Sequence, residues 1–376
     1  MCNRIRLTLV IVCLCLFSVS AADPADERIL LTFIPNIQFS PFYIGIDGGH
    51  FEEAGFNVTL EHLQEPDVLD LVAVGQANFG IVSGEQVILA RAQGRDVVYV
   101  FEWFQQYPVG LVYSSALDLS ELSLMSGLKV GIPGRFGASY SGLTTLLRSA
   151  GLTEDDIEVA EIGFNAPEVF CLGAIDAAVV YVNNEPLQIR ERARAGECGA
   201  VADVDVITVA SQVDLVSNGL IVSREMLTDE PSMVERMARA LGAALQEAID
   251  NPAGAYLASL NHVDALPQSV DFVAALQAAS EQQRTYLAAD PDRAAIARSR
   301  WDLAEELAAN FEADLLTQFF VLLHTIELWE SEQLGYSDLA SWEAMRDTLD
   351  LMGFLRGDVG DLADAFTNEF VSGSDG

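Results

Sequence analysis

The segment from Phe42 to Leu60 combines a helix, a turn and a strand in the order that a parallel sheet requires. Its helix-like apolar run ends at Gly48-Gly49, and alternating apolar and polar residues follow a short acidic connector. An apolar strand, Ile29–Ile34, precedes it, and polar and aromatic residues fill the turn from 35 to 41. Open α/β sheets bind ligands at the carboxyl ends of their strands, so the sequence predicts a ligand site at this turn.

The same alternation of strand and helix continues along the chain. Glycines near the helix ends, such as Gly75 and Gly94, suit C-terminal caps. Short connections between alternating elements indicate parallel sheets with right-handed crossovers. Further strands are predicted at Asn57–His62, Asn78–Val82, Val97–Trp103, Val109–Tyr113, Lys129–Ile132, Glu158–Ile162, Ala177–Tyr181, Val204–Thr208 and Asn218–Arg224. Helices are predicted at Pro41–Gly49, Asp67–Val74, Gln86–Ala92, Ser139–Ala150, Ala166–Gly173 and Glu185–Ala195.

This order of elements predicts an α/β protein with two lobes and parallel-rich sheets. Lobe 1 is expected to comprise residues 23–108 and 220–376, with lobe 2, residues 109–219, inserted into it. Two strand segments would join the lobes, and two chain crossings imply a hinge beside a cleft. After Pro231 the pattern is helical, which predicts a helical C-terminal region.

The N-terminus has the features of a secretory signal peptide over residues 1–22. Arg4 and Arg6 precede an apolar run, Leu7–Phe17, that is short for a membrane span, and small residues follow. We therefore expect a periplasmic or extracellular protein, with an uncleaved anchor helix as the alternative. Cys13 and Cys15 are interpreted as part of the leader.

Charge and cysteine content exclude several classes of function. The formal net charge of −36 becomes −38 without the two leader arginines, and such a charge repels nucleic acid. The histidines are scattered, so no metal site is expected. We also expect no cofactor and a monomeric protein. Cys171 and Cys198 remain after leader removal, and the sequence leaves open whether they form a disulfide. No G-x-S-x-G motif is present, and Cys171 has no evident histidine partner.

Candidate binding residues gather at the ends of strands and near the hinge. Residues 134–141 leave backbone N–H groups free at a helix N-terminus, where they could bind a carboxylate, a phosphate or another polar group. The alternative is an ordinary strand-to-helix turn capped by Ser139. Residues 102–107 place aromatic beside polar groups, which suits a flat heterocycle but also core packing. Helix capping is the alternative for the turns at 82–86 and 181–186. The candidate set is Asn36, Gln38, Phe39, Tyr43, Ser83, Glu85, Glu102, Trp103, Gln106, Tyr107, Arg135, Phe136, Gly137, Ser139, Tyr140, Asn165, Tyr181, Asn184 and Glu185.

Across most of its length the chain resembles the type II solute-binding proteins of ABC importers. The resemblance is to the branch with nitrate, sulfonate, taurine and thiamine-pyrimidine binders, and it extends to riboflavin binders. It implies a periplasmic-binding-protein fold that closes on a small molecule and delivers it to a permease and an ATPase. The similar stretches are Phe42–Leu60, 71–80, 89–94, 127–131, 173–177 and 366–370.

The segment GRFGASY and the hinge aromatics are most similar to binders of riboflavin or a thiamine-type pyrimidine. A sulfonate, taurine or nitrate site is the alternative, for which Arg135 is the one good basic candidate. A pyrimidine-forming enzyme of the same group is a second alternative. Such enzymes carry a cysteine-rich run, which this sequence lacks, and they are not secreted. A secreted sensor of the same fold is a third.

Overall fold

The computed structural model describes residues 24–371, which form two five-stranded sheets. The predicted leader lies outside the described residues. The strands of the first sheet are β1 (Ala25–Thr32), β2 (Phe56–Leu63), β3 (Phe79–Ser83), β4 (Val97–Glu102) and β10 (Asn218–Ser223). Those of the second are β5 (Val109–Ser114), β6 (Lys129–Ile132), β7 (Glu158–Glu161), β8 (Ala177–Tyr181) and β9 (Val204–Thr208).

Helices connect these strands and fill the C-terminal half. Those before residue 200 are α1 (Ser40–Asp47), α2 (His50–Glu53), α3 (Glu65–Ala73), α4 (Gly84–Ala92), α5 (Gly137–Ser149), α6 (Ala166–Cys171) and α7 (Glu185–Arg194). The later ones are α8 (Arg224–Asp229), α9 (Pro231–Asp250), α10 (Pro252–Ser259), α11 (Val270–Leu287), α12 (Arg293–Ala308), α13 (Ala313–Trp329) and α14 (Leu339–Leu351).

Each sheet is mixed, with a parallel part and one reversed strand. The first has the order β2-β1-β3-β10-β4, in which β10 runs antiparallel to both neighbours. The second has the order β7-β6-β8-β5-β9, in which β5 is the reversed strand. We call the body around the first sheet lobe 1 and the body around the second lobe 2. The prediction of a two-lobed α/β fold is confirmed.

The two reversed strands enter their sheets directly after the chain passes between the lobes. Residues 103–108 lead from β4 to β5, and residues 209–217 lead from β9 back to β10. A strand that enters from the other lobe has no crossover helix before it, so it can add to its sheet in the reversed direction. The two crossings lie beside each other, since the N–H groups of Trp103 and Phe104 donate to the carbonyl of Asn218.

Strand β1 differs from its predicted position. The expected strand was Ile29–Ile34, but β1 runs from Ala25 to Thr32. Its polar N-terminal half pairs with β2 in parallel register, so backbone hydrogen bonds extend it where the apolar pattern is absent. It ends before Phe33, whose φ of 67° lies in the left-handed region. A non-glycine residue with such a φ cannot continue a strand.

The C-terminal helices complete the core of lobe 1. Helix α9 packs on α1 and α2, while α10 and α13 contact the turn at 37–39. The buried face of α9 includes Val234, Met237, Leu241 and Leu245, spaced as an amphipathic helix requires. These helices thus hold the turn after β1 in place. Over the described range, 24–371, the helices are either too short or too polar to cross a membrane.

Candidate ligand-binding site

A cleft with a cavity volume of about 70 Å³ lies between the lobes. The carboxyl ends of β1 and β4 border it from lobe 1, and β8 and the start of α5 border it from lobe 2. The residues that line it are Thr32, Phe33, Gln38, Phe39, Glu65, Trp103, Phe104, Pro133, Phe136, Gly137, Ala138, Ser139, Gly163, Phe164, Ala166, Val179, Val180, Tyr181, Glu185 and Asn218.

Aromatic rings dominate the inner wall of the cleft. The ring centroids of Trp103 and Phe39 are 5.4 Å apart, and those of Trp103 and Phe104 are 4.7 Å apart. Phe104 in turn meets Tyr181 of lobe 2 edge to face at 6.1 Å. Because each ring fixes its neighbour, the wall is preformed and offers π-faces to a flat ligand.

Two phenylalanines from opposite lobes also meet at the cleft. Phe33, directly after β1, contacts Phe164 in an edge-to-face arrangement with centroids 4.7 Å apart. The carbonyl of Phe33 accepts a hydrogen bond from His62 Nδ1 at 3.2 Å when that nitrogen is protonated. The left-handed backbone at Phe33 therefore turns its ring across the interlobe space, as strained residues at binding sites often do.

The N-terminus of α5 opens into the cleft without a side-chain cap. Phe136 at the N-cap position makes no capping hydrogen bond, and the first turn has no acidic residue of its own. Gly137 has a φ of 65°, and a Cβ at this position would overlap with Oε2 of Glu65. Glycine is therefore required here, because it lets a lobe 1 carboxyl reach the first turn of a lobe 2 helix.

Behind Glu65 lies a second buried carboxyl, that of Glu85. Glu65 is 7 % exposed and Glu85 is fully buried, and both bond to the hydroxyl of Ser83. The backbone N–H of Ser83 also donates to Oε1 of Glu65. A hydroxyl has one hydrogen to donate. One carboxyl must therefore be protonated and donate to Ser83 Oγ, while the other accepts from it.

Burial raises the pKa of both carboxyls, and the contacts separate their roles. For Glu65, burial raises the pKa, but the hydroxyl and the N–H of Ser83 stabilise the ionised form. For Glu85, burial and then the neighbouring Glu65 charge raise the pKa to about 8. We assign the proton to Glu85 and the negative charge to Glu65, because the Glu65 charge helps to raise the pKa of Glu85, while Oε1 of Glu65 accepts both the backbone N–H and the hydroxyl of Ser83.

Two further acids lie near the cleft, of which Glu185 is half-buried and Glu102 is buried. Glu185 lines it and accepts a hydrogen bond of 3.0 Å from the backbone N–H of Tyr181, and burial raises its pKa to about 7. Glu102 lies deeper, where it accepts a hydrogen bond of 3.2 Å from Ser217 N–H. Burial likewise raises the pKa of Glu102 to about 7.

Hydrogen bonds join the lobes around the cleft. Asn183 Nδ2 donates to Gln38 Oε1 at 2.7 Å, and the Tyr181 hydroxyl donates to Asn218 Oδ1 at 3.0 Å. The hydroxyl of Tyr107, in the hinge segment, donates to the carbonyl of Ala138 at 2.9 Å. These contacts hold the lobes together in the described arrangement.

The structure brings eight of the nineteen candidate residues to the cleft wall. They are Gln38, Phe39, Trp103, Phe136, Gly137, Ser139, Tyr181 and Glu185. The other eleven lie behind or beside it. They are Asn36, Tyr43, Ser83, Glu85, Glu102, Gln106, Tyr107, Arg135, Tyr140, Asn165 and Asn184.

Several candidates beside the wall hold backbone or neighbouring side chains. Asn36 caps the turn at 37–39 through Gln38 N–H, and Gln106 Nε2 donates to the carbonyl of Glu327 at 3.4 Å. Asn165 and Asn184 make local bonds at helix N-termini, to Ile162 O and from Gln188 Nε2 respectively.

Arg135 and two tyrosines also have partners outside the cleft. Arg135 forms ion pairs with Glu154 and Glu161 of lobe 2. Tyr140 stacks on Phe354 with ring centroids 5.5 Å apart, and its hydroxyl bonds to Glu154. Tyr43 stacks on His262 at 4.7 Å.

Twelve lining residues were not predicted from the sequence, and among them Glu65, Phe33, Phe104 and Asn218 bring the most chemistry. Glu65 follows the carboxyl end of a parallel strand, which is the kind of position where other candidates were predicted, but nothing in the sequence indicates its contact with Gly137. Phe104 lies within residues 102–107, the hinge segment whose aromatic and polar groups were predicted to border the site. No sequence pattern announces the left-handed backbone of Phe33.

Among the described residues that line the cleft there is no Lys, Arg or His. The charged side chains there are Glu65 and Glu185. The wall therefore offers π-faces and hydrogen-bond acceptors, with donors from Asn218, Gln38, Ser139 and the start of α5. This combination favours a ligand that is neutral or carries hydrogen-bond donors.

The two cysteines of lobe 2 lie away from the cleft centre. Cys171 at the end of α6 is joined to Cys198, in the segment after α7, by a disulfide. Both residues are buried in the small hydrophobic core of lobe 2. The bridge fastens α6 to the segment that leads into β9.

Comparison with known proteins gives relatives of two kinds. The chain is 29 % identical over 362 residues to the riboflavin-binding protein RibY of Chloroflexus aurantiacus, which covers 94 % of this chain and 88 % of RibY. It is 22 % identical over 223 residues to a 4-amino-5-hydroxymethyl-2-methylpyrimidine phosphate synthase of Uromyces fabae, covering 57 % of this chain and 64 % of the synthase.

Among solved structures, the fold is similar to that of the periplasmic sulfonate-binding protein SsuA of Methylobacillus flagellatus KT. The TM-score is 0.57 at 13 % identity, with 93 % of each chain covered. This likeness shows a periplasmic-binding-protein fold. The family model described as NMT1/THI5 like matches residues 36–255, more than half of the sequence. The chain therefore belongs to the NMT1/THI5-like family.

Proposed function

We propose that this protein is the extracytoplasmic solute-binding component of an ABC importer and captures a neutral heteroaromatic vitamin, with riboflavin as the first candidate. The observation that carries the proposal is the wall of Phe39, Trp103, Phe104 and Tyr181 in a cleft whose described lining has no basic side chain. A thiamine-type pyrimidine is the second candidate within the same chemical class.

The chemistry of the wall supports a flat, uncharged ring system. The rings beside Trp103 provide apolar contact faces, while Gln38, Asn218 and Glu185 can hydrogen-bond the polar edge of a heterocycle. A sulfonate or nitrate would need a cation or several donors in place of this wall. Arg135, the basic candidate, is paired with two lobe 2 acids.

The similar proteins also support a heteroaromatic vitamin as the ligand. RibY, whose name states riboflavin binding, is similar along nearly the whole chain. The sulfonate-binding protein is similar in fold at 13 % identity, which carries no inference about the ligand. The synthase leaves an enzyme as the alternative, and substrate turnover would be the observation that favours it.

Closure of the lobes on the ligand provides the mechanism of capture. A ligand that contacts both lobes binds the closed arrangement better than the open one and so shifts the population toward it. The permease would then receive the closed, loaded protein. Residues 1–22 would direct export as a leader, which matches the extracytoplasmic role.

Riboflavin titration tests the proposal directly. Stacking on Trp103 should quench flavin fluorescence, and calorimetry should give a saturable one-site isotherm. Thiamine-type pyrimidines, taurine and nitrate serve as competitors at constant ionic strength. A ligand at about a hundred times its Kd should stabilise the fold by roughly 2.7 kcal/mol. Binding of taurine or nitrate alone would contradict the proposal.

A further inference from the structure

We propose that Glu65 is the charge filter of the cleft: it occupies the N-terminus of α5, excludes anions and selects ligands that donate a hydrogen bond. This inference rests on the proposed function and deepens it, since it specifies which chemical class the cleft accepts and which residue enforces the choice.

The end of α5 would otherwise attract an anion. Helix α5 has thirteen residues, and no side chain caps its N-terminus. The first N–H groups of a helix lack intrahelical partners, and the helix dipole places partial positive charge there. Without Glu65, this end of the cleft would be suited to a sulfonate, nitrate or phosphate group.

The carboxyl of Glu65 already fills that position. Its Oε2 lies where the Cβ of any residue other than glycine at 137 would be. Its Oε1 is fixed from behind by Ser83. An arriving anion would meet a fixed negative charge within contact distance, with no Lys or Arg among the described lining residues to offset it.

Glu65 keeps its charge because a neutral acid stands behind it. With the proton assigned to Glu85, the single hydrogen of the Ser83 hydroxyl goes to Glu65, and fully buried Glu85 donates its own proton to Ser83. In the part of the chain that the structure describes, Oε2 of Glu65 accepts no hydrogen bond. This oxygen lies beside Gly137, which lines the cleft as Glu65 does, and we infer that it is available to an N–H or O–H of a ligand.

Glu65→Gln tests the filter, with Asp67→Asn as the matched control. Asp67 lies in the same first turn of α3, is exposed and does not line the cleft, so its change removes the same charge nearby. Calorimetry with methanesulfonate, nitrate and riboflavin at fixed ionic strength is carried out on all three proteins. Circular dichroism checks folding, and Glu65→Ser is measured alongside in case the glutamine variant fails to fold.

We expect the wild-type protein and Asp67→Asn to show no methanesulfonate or nitrate binding. Glu65→Gln should bind at least one of these anions at least tenfold more tightly and should bind riboflavin at least tenfold more weakly. The filter is overturned if the Glu65 variants bind both anions no better than the control. It is also overturned if wild type binds them as well as Glu65→Gln does.

The proposed function and the filter can fail separately. If riboflavin binds none of the proteins, the riboflavin proposal fails, and the two anions alone decide the filter. If riboflavin binds wild type and the Glu65 variants equally while the anions remain excluded from all, the function stands and the filter fails.

Discussion

Asn183 of lobe 2 donates a 2.7 Å hydrogen bond from Nδ2 to Oε1 of Gln38 in lobe 1, and both side chains are buried. The same nitrogen donates to Thr325 Oγ1, also at 2.7 Å, on α13. Gln38 lies on the lobe 1 turn that was predicted to border the ligand site, so this hydrogen bond connects the closing of the lobes to the position of Gln38.

Asn183→Ala should loosen the closed arrangement. Loss of a buried hydrogen bond that leaves Gln38 Oε1 without this donor costs about 1–3 kcal/mol, which weakens ligand affinity roughly 5- to 150-fold if closure and binding are linked. Small-angle scattering of the ligand-free variant should show a larger radius of gyration.

The control for this change is Asn165→Ala, an exposed lobe 2 asparagine whose side chain makes a local bond to Ile162 O. It should leave the radius of gyration and the affinity unchanged. Equal radii for wild type and Asn183→Ala would show that this hydrogen bond does not hold the lobes together.

Trp103 should serve binding and folding together. It lines the cleft but is only 3 % exposed and packs on Phe39, Phe42, Phe104 and Trp329. Trp103→Ala should therefore lower the free energy of unfolding by about 3–5 kcal/mol, as expected for a truncated core aromatic, as well as abolish flavin quenching.

Trp103→Phe separates the two roles of this residue. It retains an aromatic face and most of the apolar volume, so the fold should survive with reduced ligand affinity. Urea unfolding and riboflavin titration measure the two quantities. If both variants bind riboflavin like wild type, Trp103 belongs to the core and not to the site.

The fold was predictable because apolar periodicity and glycine placement are local signals. The helix predicted at Glu185–Ala195 and the strand at Lys129–Ile132 differ from the structure by one residue or less. Strand β1 was shifted because its first half is held by pairing with β2, which no local pattern records.

The site was predictable only in part, because it depends on which strand ends meet across the lobes. Phe39 and Tyr181 were found as aromatic residues at strand or helix ends, and both line the cleft. Arg135 looked like an anion ligand in sequence, but nearby acids pair with it. Glu65 was missed because its role depends on Gly137 of the other lobe, 72 positions away in the chain.

Reduction of the Cys171–Cys198 bridge should destabilise lobe 2. The cysteines are 27 residues apart, and in the chain-entropy model a loop of this length gives about 3–4 kcal/mol of stabilisation. Urea unfolding with and without dithiothreitol measures the effect. A Cys171→Ala/Cys198→Ala variant should be insensitive to the reductant, and equal midpoints for oxidised and reduced wild type would contradict the prediction.

The buried acids should make the protein more stable at mildly acidic pH than at alkaline pH. The pKa of Glu85 is raised to about 8 in the folded protein from an ordinary value near 4.5. Between these values the unfolded chain loses the proton and the folded one keeps it, so rising pH favours unfolding. For one such group, the free energy of unfolding falls by about 1.4 kcal/mol per pH unit. This dependence vanishes above about pH 8, where Glu85 is ionised in both the folded and the unfolded protein.

Glu85→Gln isolates this contribution from the repulsion among the many surface acids. Glutamine stays neutral at every pH, so the fall in unfolding free energy from pH 5 to pH 8 should become shallower by up to about 1.4 kcal/mol per unit. Asp67→Asn removes one exposed acid and should keep the wild-type slope. Denaturant unfolding at four pH values decides the matter: parallel curves for wild type and Glu85→Gln would mean that Glu85 is already ionised in the folded protein, so that Glu65 would be the acid that carries the proton and donates to Ser83 Oγ.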